Sequence, residues 1–406
     1  MLRKEYKRKM KKYLILFCMI TAAVLAFAAA GDSVEIYELH YNAELTHVGQ
    51  LEILQEMAKE QPANAVEFYA RALRKLVSEY TDIKGNNERR AADEKAIILA
   101  AQLGAAKYAP AASDLWLVAK EPNGFEAPLA RAEAMMALGN IPAPAYIPQI
   151  IRIVESMNLK PVPNRLAGER VVTGAIIALE RYKDPSGYIP VFMASIGWYS
   201  EIVREQATKS LAIIADDPSP FMLEVVKKPS YKPYDKYSAL KNIEASKVDN
   251  KKKVEVAVEG LNQGWLLGST KDVQVKRTLV DMRMLAINMI NRYKTDDQTI
   301  YPLLEKSSTQ GSMDEKFSAI AALASQGTAE ASKRLSNLLI GLNRQRLRNN
   351  INQEDEQLIR AIIPALGQLG LPEGKSSLAA VSSSNWPPAV VKLADDALKQ
   401  IISSGH

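Results

Sequence analysis

Few side chains in this chain could bind a metal ion or attack a substrate. Its 406 residues include three histidines and one cysteine. His40 and His47 stand seven residues apart and share one face if a single helix spans both, a weak pattern for a metal site. A solvated helix surface is the simpler account of the pair. Neither histidine is followed by glutamate and no two stand at i and i+4, so the H-E-x-x-H zinc pattern is missing; His406 is the last residue. There is no G-x-S-x-G elbow, P-loop or G-x-G-x-x-G string, and Ser382-Ser383-Ser384 reads as a turn before Trp386-Pro387-Pro388. The sequence therefore predicts a protein that is not an enzyme and holds no cofactor and no metal. One cysteine also rules out an intrachain disulfide framework and zinc-thiolate sites.

Aromatic residues are the remaining candidates for binding. Of the four tryptophans (Trp116, Trp198, Trp265, Trp386), Trp198 with Tyr199 and Trp386 stand near turns and are the candidate binding surface, since indole is common at interface hot spots. The competing reading is core packing.

Charge is concentrated at one end. Residues 1–30 hold seven basic side chains and one acid, which accounts for the whole formal charge of +6, and 45 basic and 45 acidic residues remain beyond them. A basic run (Arg3 to Lys12), an uncharged apolar stretch (Tyr13 to Phe27) and Ala28-Ala29-Ala30 form the three parts of a secretory signal peptide, cleaved after Ala28 or Ala30. Tyr13 to Ala30 is 18 residues, so an uncleaved membrane anchor is the alternative, a bilayer span needing about 17–25. Phe17 precedes Cys18 where a lipoprotein signal has a small residue, so Cys18 is apolar filler. The expected location is the periplasm, with secretion or N-terminal anchoring as alternatives. Basic clusters at Arg89-Arg90, Lys227-Lys228, Lys251 to Lys253 and Arg344/Arg346/Arg348 lie far apart and read as solvated loops and helix ends, not as a nucleic-acid surface.

The elements that must carry these residues are helices. From about Asn87 onward, helix-length apolar patterns are broken by Gly, Pro and Asp, and no window shows the alternation of strands. A helix end recurs in which a core residue and a second one three positions later precede a turn. Copies begin at 100, 138, 179, 211, 240, 290, 323, 366 and 398, a mean spacing of about 37 residues. Such a period marks stacked supersecondary units, each burying its apolar face on its neighbours. Leu179/Tyr182 and Leu366/Leu369 are expected to point together into the core. Gly104, Gly139, Gly327 and Gly370 are expected to end helices in the left-handed conformation.

The string Ala-Leu-Gly-x-Leu-Gly-x-Pro at 365–372, and its variant Ala-Leu-x-x-Tyr-x-Asp-Pro at 178–185, resemble the turn-proximal end of the inner helix of a HEAT repeat. The resemblance covers roughly residues 87–403. It implies an all-α, right-handed solenoid of antiparallel helix pairs whose inner helices line a concave face used for protein contacts.

The expected division is a signal peptide over 1–30, an N-terminal helical cap over 31–86, HEAT-like repeats over 87–226, an irregular segment or bend over 227–268, and further repeats over 269–406. The cap is expected as two helices broken near Pro62. The expected function is a scaffold that holds another cell-envelope protein on its concave face. The alternative is a module that binds a glycan or peptidoglycan fragment through exposed aromatic rings.

Overall fold

A computed structural model describes residues 34–120, 123–268 and 270–404. The expected signal peptide with Ala28 and Ala30, together with His406, lies outside the described residues. The described residues form helices and contain no strand, so the fold is an all-α solenoid. The chain divides into two compact units, the first ending at Asp216 and the second beginning at Asp217. The break thus falls at the Asp216-Asp217-Pro218 turn, ten residues before the expected boundary at 226.

Unit 1 contains α1 (34–43), α2 (His47–Glu60), α3 (Val66–Glu79), α4 (Asn86–Ala105), α5 (Ala112–Ala119), α6 (Pro128–Asn140), α7 (Ile147–Leu159), α8 (Arg165–Tyr182), α9 (Tyr188–Ile196) and α10 (Glu201–Ile214). The even-numbered helices form one layer, each packed on the next, and the odd-numbered helices lie on them as a second layer. Within that second layer α3 packs on α5 and α7 on α9, whereas α5 and α7 barely touch. The cap has three helices where two were expected. The extra break leaves Leu45 95% exposed between α1 and α2, and it puts His40 and His47 on different helices.

Unit 2 repeats the plan with α11 (Ser219–Lys227), α12 (Pro233–Ala245), α13 (Asn250–Leu266), α14 (Val273–Tyr293), α15 (Ile300–Gln310), α16 (Met313–Gln326), α17 (Ala329–Leu347), α18 (Gln353–Leu369), α19 (Lys375–Ala379) and α20 (Pro388–Ser403). Residues 227–268, expected to be irregular, supply the whole of α12 and α13 in regular places. Pro233 stands at the start of α12, where its missing N–H breaks no helical hydrogen bond. Two lysines of this stretch are buried and tie helix ends together. Lys236 Nζ donates to the carbonyls of Val226 and Lys228, and Lys253 Nζ donates to that of Glu244 at 2.9 Å.

The nine recurring helix ends are those of the even-numbered helices from α4 to α20. Ala100, Leu138, Leu179, Leu211, Leu240, Ile290, Leu323 and Leu366 are all buried. Leu398, on the last described helix, is half-exposed. Two copies show how closely the unit is repeated. Leu179 packs over Gly187 in the 3₁₀ turn Pro185–Gly187, and Leu366 packs over Gly374 in the 3₁₀ turn Pro372–Gly374.

The glycines divide by job. Gly327 and Gly370 end their helices at φ +69 and +66, as expected. Gly104 and Gly139 lie within the last turns of α4 and α6, and they serve close approach instead of left-handed capping. A Cβ on Gly139 would stand 2.7 Å from Ala178 Cα, and one on Gly174 would stand 2.6 Å from Ala132 Cα, so α6 and α8 touch backbone to backbone.

A candidate ligand groove between helix pairs

The poor contact between α5 and α7 leaves an opening in the outer layer of unit 1. α5 has only eight residues, and the connections before α6 and α8 run along the edge of the gap. A cavity of about 830 Å³ results, bounded by α5, α7 and the first turns of α6 and α8.

Its floor is apolar. Trp116 from α5, Ile153 and Met157 from α7, Val162 from the following connection and Val171 from α8 line it. Trp116 is half-buried, with its ring tilted against Tyr146 at 5.7 Å between centroids. Among the described lining residues the charged side chains are Arg131, Arg152, Lys160 and Glu126. Arg131 is held by its Nε donating to the Ala119 carbonyl at 3.3 Å. Arg152 and Lys160 are exposed and have no ion-pair partner among the described residues.

Neighbouring elements fix this shape. Phe125 stacks on Tyr80 at 3.6 Å, its N–H donates to the Val118 carbonyl, and the next N–H, of Glu126, donates to Tyr80 Oη at 3.0 Å. Tyr80 Oη in turn donates to Asp93 at 2.7 Å; burial, aided by that carboxylate, pushes its pKa up to about 12. On the other side Asn164 caps α8 by accepting from Ala167 N–H at 3.1 Å. Glu169 accepts from Ser200 N–H and Oγ and from Arg165. Burial pushes the Glu169 carboxyl up, but these donors outweigh it and hold the group below the ordinary range.

The aromatic candidates from the sequence take supporting places. Tyr199 is 2% exposed and its Oη donates to Asn158 at 3.0 Å, while the half-buried Trp198 donates its indole N–H to the Met157 carbonyl at 2.9 Å. Together they brace the end of α7 from behind the groove. Trp386 is 5% exposed, donates to Asn343 Oδ1 at 2.8 Å and lies under the Arg346 guanidinium. Trp198, Tyr199 and Trp386 therefore do not form one exposed aromatic surface. Trp265 lies between Arg283 and Lys306 in unit 2. Of the four tryptophans, Trp116 is the one that lines the groove. Its position next to the Asn123-Gly124 and Pro161/Pro163 connections is the trace the groove leaves in the sequence.

His47 belongs to a different cluster, with a buried lysine. Lys95 is 1% exposed; its Nζ lies 2.9 Å from His47 Nδ1 and donates to Gln50 Oε1 at 2.5 Å. Burial pulls the Lys95 pKa down to about 8. Burial, joined by the Lys95 charge, also lowers that of His47. A neutral imidazole accepting from the ammonium fits this arrangement. The cluster locks α2 onto α4, and His40 is exposed on α1. Among the described residues no group of three His, Cys, Asp or Glu side chains stands together in a way that would hold a metal ion.

This stack of paired helices with an open seam is the architecture of an α-solenoid of helical repeats. More particularly, residues 130–156, which take in most of α6 and of α7, match the family model described as PBS lyase HEAT-like repeat. No curated protein sequence matches it. A crystal structure of an engineered protein is 16% identical, over 91% of this chain and 98% of that one, with a TM-score of 0.33. No helix among the described residues is long and apolar enough to cross a membrane.

Proposed function

We propose that this chain is an exported, non-enzymatic scaffold that docks a cell-envelope protein at the groove between α5 and α7. One observation carries the docking site: a cavity with an apolar floor and the exposed cations Arg152 and Lys160 among its lining residues, in a fold whose general use is protein contact. Such a pocket, mostly apolar with a few placed polar groups, is the common form of a binding site. The support for export is the basic run, the apolar stretch and the small residues Ala28 and Ala30. N-terminal sequencing of the protein from fractionated cells should then begin at Ala29 or Gly31.

The glycan reading needed exposed rings at Trp198, Tyr199 and Trp386, and two of these are buried. It has no observation in its favour here.

The docking site is tested by placing a photoreactive residue at Arg152 or, as a control, at Lys392 on α20, both exposed. Crosslinking in living cells should recover the same partner repeatedly from position 152 and not from 392. Recovery of no reproducible protein from 152, or of the same set from both positions, would contradict the proposal.

A further inference from the structure

We propose that α1 and α2 form an acid-sensitive latch on α4, released when His47 takes up a proton beside the buried ammonium of Lys95. The latch does not depend on the docking reading of the groove.

One ammonium joins three helices here. Lys95 is 1% exposed on α4; its Nζ donates to Gln50 Oε1 and lies 2.9 Å from His47 Nδ1, both on α2, and it stands 5.2 Å from the centre of the Tyr41 ring on α1. Gln50 passes the tie on. Its Nε2 donates to the Glu44 carbonyl at 2.9 Å, just beyond the end of α1, and to the Tyr41 carbonyl at 3.4 Å. The backbone N–H of His47 adds a bond to the Glu88 carboxylate of α4. Behind these polar ties α2 buries Leu51, Leu54 and Met57.

This arrangement has room for one positive charge. An ammonium has protons to give and no lone pair, so at 2.9 Å Lys95 needs Nδ1 as an acceptor, and a doubly protonated imidazole offers none. Protonation therefore sets two like charges at hydrogen-bond distance beside a side chain closed to water. Turning the ring outward is no remedy, because Lys95 would be left with Gln50, and a buried charge that loses a partner is costly. His47 itself is half-buried, so a proton reaches it from solvent without prior opening.

The other charged groups acting on His47 are Glu88 on α4 and Glu79 and Lys75 on α3. The two carboxylates favour the proton, but burial and the Lys95 charge outweigh them. Tyr41 stays neutral, because burial pushes its hydroxyl up. Once detached, the imidazole titrates near its ordinary value of about 6.5. The detached state thus binds a proton that the closed state resists, and release grows as pH falls through that value. Lys95, with its pKa near 8, stays charged over the same range, so the change belongs to His47.

The latch is tested by hydrogen exchange of the whole protein at pH 7 and pH 5, with intrinsic rates corrected. Protection of α2 should fall about ten-fold or more at pH 5, while α16 to α20 keep theirs. H47Q, which retains an acceptor for Lys95 but cannot titrate, should keep α2 protected at pH 5. K95M, which removes the second charge, should do the same, and H40Q, at the exposed histidine of α1, should open like the wild type. Protection of α2 at pH 7 shows in each variant that the latch has formed, and the wild-type comparison decides even if one variant does not form it. Undiminished α2 protection in the wild type at pH 5, or equal loss in the wild type and H47Q, would overturn the proposal. Loss spread evenly from α2 to α20 would also overturn it, since the whole chain would then be unfolding in acid.

Discussion

The two units meet the same packing problem by different chemistry. In unit 1 the inner layer closes on small residues: Gly104 against Ala137, Gly139 against Ala178 and Gly174 against Ala132 leave no room for one added carbon. In unit 2 the corresponding layer holds a buried ion pair. Arg283 donates to Glu315 at 2.6 Å and to the Gly264 carbonyl at 2.9 Å, lies over Trp265, and both members of the pair are almost fully buried. Glu315 also accepts from Ser312 N–H to cap α16. A repeated helix end thus dictates where the helices stack but not what fills the space between them. Volume constrains the contacts of α4, α6 and α8, and a buried charge pair the contact of α14 with α16.

The largest way to break that contrast is to remove one member of the ion pair. Glu315→Ala should cost about 3–5 kcal/mol in urea unfolding, because Arg283 is left charged and buried. Replacing both partners with apolar residues, as in R283M/E315L, should cost much less. Equal losses in the single and double variants would show that the pair is not the organising contact of unit 2.

In unit 1 the matching test adds volume without charge. Gly174→Ala places a methyl group 2.6 Å from the Ala132 backbone and should destabilise the unit by about 1–3 kcal/mol. A neutral outcome would mean that α6 and α8 separate at little cost.

A third difference can be read by pH. The Lys95 pKa is lowered in the fold from 10.5 to about 8, so between these values the unfolded chain holds a proton that the folded chain has released. Stability of unit 1 should therefore rise with pH across that window, on the order of 1–3 kcal/mol, with the penalty fully present below pH 8. Lys95→Met should flatten this part of the profile. A wild-type profile without the rise would indicate that Lys95 is solvated or better paired.

The helical layers were legible in the sequence because each even-numbered helix carries its own local signal, a core residue with a partner three positions on and a turn behind it. Leu240, Ile290 and Leu323 obey it as closely as Leu179 does. Residues 227–268 misled because Pro229, Pro233 and Lys251 to Lys253 look like breakers and surface. In the fold Pro233 opens a helix, and Lys236 and Lys253 bond helix-end carbonyls. Gly139 was recognisable as special, but a close approach between α6 and α8 depends on residues 39 apart in the chain, which no local pattern records.

The groove was legible only in fragments. Its lining comes from four helices and two connections, and the cause of the opening is the shortness of α5, a property of one helix relative to its neighbours. Trp116 could be picked out by type, yet nothing near it in sequence distinguishes it from Trp386, which is buried. Tyr199 was chosen for standing by a turn, and turns in this fold are braced from inside by aromatic residues.

Hydrogen exchange tests the central claim most directly, measured on the protein with and without the partner recovered by crosslinking. The account predicts added protection at α5, the second half of α7 and residues 160–168, with little change in α11 to α20. Protection confined to α11 to α20, with α5 and α7 exchanging as before, would contradict it.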